Sequence, residues 1–186
     1  MFKIDGADVK GLQRFENMLM VAGEKGPVII TRALNRTGAM ARTQVVRSIS
    51  KETSLPQKMV RNIVRKVPAK ESDMVYTLYG AGGDISLKYF KPRETRRGVT
   101  AMVRGHRQLF EGNFSKGGDF SRGRVKLNMG GHVYMRLSSE RLPIVKVSSG
   151  VIIPREMVES ATVEIFDRTV EDNLPGRLEH ELGRVL

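Results

Sequence analysis

The chain has 186 residues, 40% of them hydrophobic, with no cysteine or tryptophan and a formal net charge of +12. That length suffices for one hydrophobic core. The missing cysteines exclude disulfides, thiolate metal sites and a cysteine nucleophile, and no run of about 18 apolar residues offers a membrane span. The positive charge predicts a polyanionic neighbour: nucleic acid, an acidic protein surface or an anionic membrane. The N-terminus has no apolar signal-peptide core, so synthesis in a reducing cytosol is the expectation.

In chain order, Val9, Leu12, Phe15, Leu19 and Ala22 recur at helical spacing and predict a helix over 8–22. Gly23 and Gly26 break it, and Pro27 suits the first turn of a second helix running to about Ser50. Ile30, Leu34, Ala41, Val45 and Ile49 share a face of that helix. Ser54 is a good N-cap for a third helix from Leu55 to about Lys66, which Pro68 ends. The period then changes to two. Met74 to Tyr79 reads as a strand, Gly80 to Asp84 as a turn, and Ile85, Leu87 and Tyr89 as an alternating second strand. Val99, Ala101 and Val103 predict a third. Gly105 to Gly123, rich in Gly, Ser and charge, reads as a long mobile loop. Val125–Leu127 and Val133–Leu137 flank Asn128–Gly131 as a hairpin, and Leu142–Val147 adds an edge strand. A helix begins near Pro154, and Asn173-Leu174-Pro175-Gly176 is expected to kink or end it before a last short helix. The fold class is therefore α+β: N-terminal helices, a mostly antiparallel sheet with a long basic loop, and C-terminal amphipathic helices. The expectation is one domain over 1–186, helical at 8–67, sheet and basic loop at 73–147, helical again at 154–186.

Charge is unevenly spread. Lys25 to Lys70 holds eleven basic residues against one acidic, and Arg155 to the end holds four basic against eight acidic. Between them, Lys88 to Lys126 holds eleven basic residues against three acidic. Those eleven are the candidate DNA-contacting residues. Lys88, Lys91, Arg93, Arg96 and Arg97 come first, Arg104 and Arg107 next, and Lys116, Arg122, Arg124 and Lys126 last. Phe110, Phe114 and Phe120 lie among them and could stack on bases or anchor the loop on a protein partner. A cationic body and an acidic tail also allow one copy to meet the next head to tail in a ring.

Catalytic patterns are missing. His106, His132 and His180 lie in no metal-ligand spacing. Gly80-Ala81-Gly82-Gly83 and Gly117-Gly118 open no phosphate-loop pattern, and no GxSxG elbow exists. Asp167, Glu171 and Asp172 have no distant fourth ligand. No enzyme, cofactor or metal is expected. The two basic helices joined by KETSLPQ could form a helix-turn-helix, with Gln57, Lys58, Arg61 and Asn62 reading bases. A membrane-surface role fits poorly, because helix 27–49 offers only Ala, Val and Thr as anchors.

Three segments together resemble the prophage minor tail protein Z family. They are ALNRTGAMARTQVVRSISKETSLPQKMVRNIV, ISLKYFKPRETRRGVTAMV and HVYMRLSSERLPIVKVSSGVIIPREM. The second carries an aromatic-x-x-R-x-T element before GV (Phe90, Arg93, Thr95, Gly98, Val99). The third carries V-x-x-R, then R-L-P-I, then Pro (Val133, Arg136, Arg141, Leu142, Pro143, Ile144, Pro154). The order holds over nearly the whole chain; VSSGVIIP departs from it. The resemblance implies a non-enzymatic tail completion protein of long-tailed phages, near the head-proximal end of the tail and needed for head-tail joining. It implies other tail and neck proteins as partners, and the virion, after the host cytoplasm during assembly, as the location. The charge adds double-stranded DNA, contacted without regard to sequence, and a homo-oligomeric ring. The alternative is a sequence-specific DNA-binding regulator using helices 27–50 and 55–66.

Overall fold

The computed structural model describes residues 1–5, 15–117 and 127–185. Its element order is β1 (Phe2–Asp5), α1 (Glu16–Ala22), α2 (Gly26–Thr53), α3 (Gln57–Ile63), β2 (Val64–Val67), β3 (Val75–Gly80), β4 (Arg93–Thr95), β5 (Gly98–Val103), β6 (His106–Glu111), β7 (Tyr134–Arg136), β8 (Ile144–Lys146), α4 (Ile153–Glu156) and α5 (Ser160–Leu182). The architecture is α+β. Three small antiparallel sheets, ordered β1-β3-β2, β4-β5-β6 and β7-β8, accompany a long helical pair, α2 and α5.

Helix α2 organises the molecule. Pro27 sits in its first turn, and Ser54 at φ 66° ends it in the left-handed region. Its buried side chains include Ile29, Leu34, Val45, Val46 and Ile49. Against it lies α5, whose Phe166, Leu174, Leu178 and Leu182 are buried. Phe166 also stacks on Phe2 of β1 at 4.6 Å, tying the first strand to the last helix.

Three residues of the ALNRTGAMAR stretch lie on one stripe of α2 at helical spacing, and each fixes part of the first sheet. The Asn35 side chain both donates to the Ala69 carbonyl (3.0 Å) and accepts from the Ala69 N–H (2.9 Å). Gly38 leaves room for the Tyr76 ring of β3; a Cβ there would lie 2.3 Å from ring carbons. Arg42 donates to the carbonyls of Val64 (3.0 and 2.8 Å) and Arg61 (2.7 Å). The carbonyls at a helix C-terminus have no intrahelical partner, and a guanidinium fork satisfies them with charge-assisted bonds. Arg42→Met should cost about 2 kcal/mol, seen as a lower urea midpoint with unchanged slope. An unchanged midpoint would show that water replaces the fork.

Several expectations need correction. Ser54 is not an N-cap: it terminates α2, and α3 opens after Pro56 at Gln57. That third helix is shorter than expected, because Val64–Val67 pairs with β3 instead. Ile85–Tyr89 is not a strand. It makes one isolated bridge, Ser86 to Ser148, and then a 3-10 turn that buries Leu87. The expected loop from Gly105 begins with strand β6, because Arg104 (φ 50°) and Gly105 (φ 78°) form a two-residue hairpin turn. Strand β7 pairs with β8, and the first arm of the expected hairpin, 125–127, lies mostly outside the described residues. Pro175 does not end the last helix: α5 continues through it to Leu182. The carbonyl deprived of its helical donor is that of Glu171, a residue exposed to water, while Leu174 and Leu178 hold both flanks in the core. The parts of the expected helix and loop at 8–14 and 118–126 lie outside the described residues.

Candidate nucleic-acid interface

The expected cationic residues are divided among several places. Strand β5 turns Val99, Ala101 and Val103 into the core, so the sheet's other face looks outward. Arg93 pairs with Thr100, and Arg107 pairs with Met102, which puts both arginines on that outer face. They are linked through Thr100: its hydroxyl accepts from Arg107 Nη1 (3.1 Å) and donates to the Arg93 carbonyl (3.3 Å). Arg96 and Arg97 form the exposed β4–β5 turn at one end. Arg97 reaches Glu111 at 2.8 Å, but both side chains are exposed and the pair is worth little. Gly98 closes this turn at φ 151°, where a Cβ would meet the Phe110 carbonyl.

Arg104 is at the opposite end and is differently committed. Its guanidinium grips the Glu156 carboxylate with two bonds, 2.6 and 3.2 Å, and Glu156 is 2% exposed. The same turn is anchored on the end of α2 by Arg104 N–H to Thr53 O (3.3 Å) and Gly105 N–H to Ser54 Oγ (2.8 Å). A groove of about 810 Å³ opens here between α2 and α5, lined by Arg47, Lys51, Glu52, Arg104, Arg168 and Asp172 among others. Two of its four cations are already paired, Arg104 with Glu156 and Arg168 with Asp172, which leaves Arg47 and Lys51 beside Glu52.

Lys88 and Lys116 belong to a third place. The Glu94 carboxylate accepts from the N–H of Ser115 and of Lys116, which fixes the chain after β6. The Lys88 stem lies along the Gly130-Gly131 turn. The following residue, His132, meets Ser86 Oγ through Nδ1 at 3.2 Å. Burial first, then the cations of Lys146 and Lys88, push the His132 pKa below the ordinary histidine value. A depressed histidine binds its proton more readily in the unfolded chain. Stability is therefore full above about 6.5 and falls as pH drops below it. His132→Asn should flatten the fall of thermal stability just below about pH 6.5; a retained slope there would assign it to other groups. Lys91 stands alone at φ 50° before β4. Arg122, Arg124 and Lys126 lie outside the described residues, as does Phe120.

Sequence reasoning missed Arg42 and Glu156 as structural partners. Nothing in the pattern separated them from surface charges. Phe110 and Phe114 are half-buried, and Phe114 bridges to Tyr134 with the Arg136 guanidinium 5.3 Å above its ring. Phe114 thus holds a loop against the protein rather than offering an open stacking face. Gln57, Lys58, Arg61 and Asn62 are exposed on α3. That helix is only seven residues long, and its C-terminal end is clamped by Arg42, which leaves little to insert into a major groove. Among the described residues, no three His, Asp or Glu converge on a metal site, and no helix is long and apolar enough to cross a membrane.

The described residues thus form an α+β body whose exposed cations are divided among a sheet face, a turn and the surroundings of His132. The family described as prophage minor tail protein Z matches residues 9–186, and the chain belongs to that family. It is thus a phage minor tail protein, a structural component of the virion that associates with other tail proteins. No curated protein and no solved structure matches it.

Proposed function

We propose that the chain is a tail completion protein at the head-proximal end of the tail, needed for head-tail joining, with its basic sheet beside DNA in the lumen. The observation that carries this reading is the outward face of β4-β5-β6, where Arg93 and Arg107 stand exposed and Arg96 and Arg97 crown the adjoining turn. Phosphates attract such cations without regard to sequence. Copies arranged in a ring would line a passage with this face. One continuous buried cluster from Phe2 to Leu182 supports reading the chain as one domain. Assembly in the host cytoplasm, before the finished tail joins the head, belongs to the same reading.

Two measurements test it. Binding of random duplex DNA should fall steeply with salt. Arg93→Gln with Arg96→Gln and Arg107→Gln should lower the log-log slope by roughly 0.9 for each phosphate no longer neutralised. Preference for one sequence would favour a regulator instead. In phage carrying this triple variant, tails should form normally while fewer particles retain DNA. Unchanged DNA retention and infectivity would overturn the lumenal placement.

A further inference from the structure

Strand β6 is an open edge. It is the last strand of β4-β5-β6, and its residues from His106 to Leu109 are exposed, Leu109 at 38%. The ladder to β5 uses only half of its backbone groups. Gly112 N–H donates to the Arg97 carbonyl, so by alternation Phe110, Gln108 and His106 point at β5. Arg107, Leu109 and Glu111 point their N–H and C=O groups away from the sheet, and no described residue bonds those groups. The strand carries no proline, and no positive φ interrupts it. An uncovered row of this kind is a template for another strand.

The side chains say which strand fits. Val99, Ala101 and Val103 of β5 face the core, so Arg107, Leu109 and Glu111 take the outward face. An antiparallel copy of β6 can pair all three of these residues in one register alone, with Leu109 opposite Leu109. That register also sets Arg107 of each copy opposite Glu111 of the other, and Gln108 opposite the half-buried Phe110 on the inner face. The smallest slip that keeps the faces leaves one outward residue without a strand partner. The next sets Arg107 against Arg107 or Glu111 against Glu111, and like charges directly opposite are unfavourable. Arg97, which holds Glu111 at 2.8 Å, would share that carboxylate with the partner's Arg107.

We propose that β6 pairs antiparallel with β6 of a second copy of this chain, about a two-fold axis at Leu109, joining two three-stranded sheets into one. The contact is isologous and closes at two copies, so a ring would be built from such pairs. Main-chain bonds supply the attraction, and the two Leu109 side chains bury each other. The exposed Arg107–Glu111 pairs fix the register more than they add strength. The axis stands perpendicular to the sheet, so the outward faces of the two copies lie side by side on one surface. The proposal rests on the strand edge and not on what that surface binds.

The test is the mass of the full chain in solution by sedimentation over a concentration series. The wild type should reach a dimer. Leu109→Pro should be monomeric and still fold, because the N–H it removes points away from β5. Arg107→Glu and Glu111→Arg should each weaken the dimer by roughly tenfold or more, since each sets like charges opposite one another twice. Mixed, those two variants should form a one-to-one heterodimer, and both changes in one chain should restore the homodimer. Circular dichroism melts confirm that each variant folds. A wild type that stays monomeric at its highest soluble concentration overturns the proposal, even where another tail protein takes the edge. So does a folded Leu109→Pro chain that dimerises as wild type does, or a mixture of the charge variants that pairs no better than each alone.

Discussion

Arg104→Met should lower stability by about 3 kcal/mol, which for a chain of this length is a fall in melting temperature of roughly 6–12 °C. The reason is asymmetric burial. The Arg104 side chain is half exposed, but the Glu156 carboxylate beneath it is only 2% exposed. Removing the arginine strands a carboxylate that cannot recover its hydration, and that penalty exceeds anything an exposed pair is worth. Arg104→Lys keeps the charge but not the two-pronged grip, and should fall between wild type and Arg104→Met. Removing both partners, Arg104→Met with Glu156→Leu, should cost less than Arg104→Met alone, because no charge is left behind. Thermal melts of the three variants decide it. A double variant that is the least stable of the set would show that the pair, rather than the stranded carboxylate, carries the energy. The outcome also matters for function. Arg104 lies in the middle of the basic stretch, so a DNA-retention defect in any variant that includes it would report loss of fold.

The case of Arg104 shows where sequence reasoning ran out. Periodicity located α2, β3, β5, β8 and the region of α5, because each buries a face whose apolar spacing is local and strong. It failed where a single turn or a distant packing partner decides. The pair Arg104-Gly105 turns the expected loop into β6, yet arginine at φ 50° is a poor propensity match; the Thr53 carbonyl and the Glu156 carboxylate hold it there. Pro175 carries a strong local stop signal, and the packing of Leu174 and Leu178 in the core overrides it. The cluster of charge at 88–126 was legible as composition, but not its division into an outer sheet face, a turn, and cations around His132. One-dimensional spacing does not say which of two strand faces a charge will take until the register is known. The family pattern ALNRTGAMAR was legible as a motif, and the structure supplies its physical content: a latch, a gap and a clamp along one stripe of α2.

The gap in that stripe yields the other large effect. Gly38→Ala should destabilise the chain by about 3 kcal/mol, although alanine ordinarily improves a helix by roughly 1 kcal/mol over glycine. The added methyl would lie 2.3 Å from two carbons of the Tyr76 ring, far inside contact distance. Tyr76 is fully buried, and its hydroxyl has no hydrogen-bond partner among the described residues. The ring therefore cannot swing outward, and β3 would have to move off α2, pulling against its ladders to β1 and β2. Gly176→Ala in α5 is the control, since nothing lies within 4 Å of its Cβ position. There the helix preference should act alone and raise stability by up to about 1 kcal/mol. A double-mutant cycle isolates the cause. Tyr76→Leu alone leaves a cavity and costs stability, but together with Gly38→Ala it should cost clearly less than the two changes summed. Additive costs would place the strain of Gly38→Ala somewhere other than the Tyr76 ring.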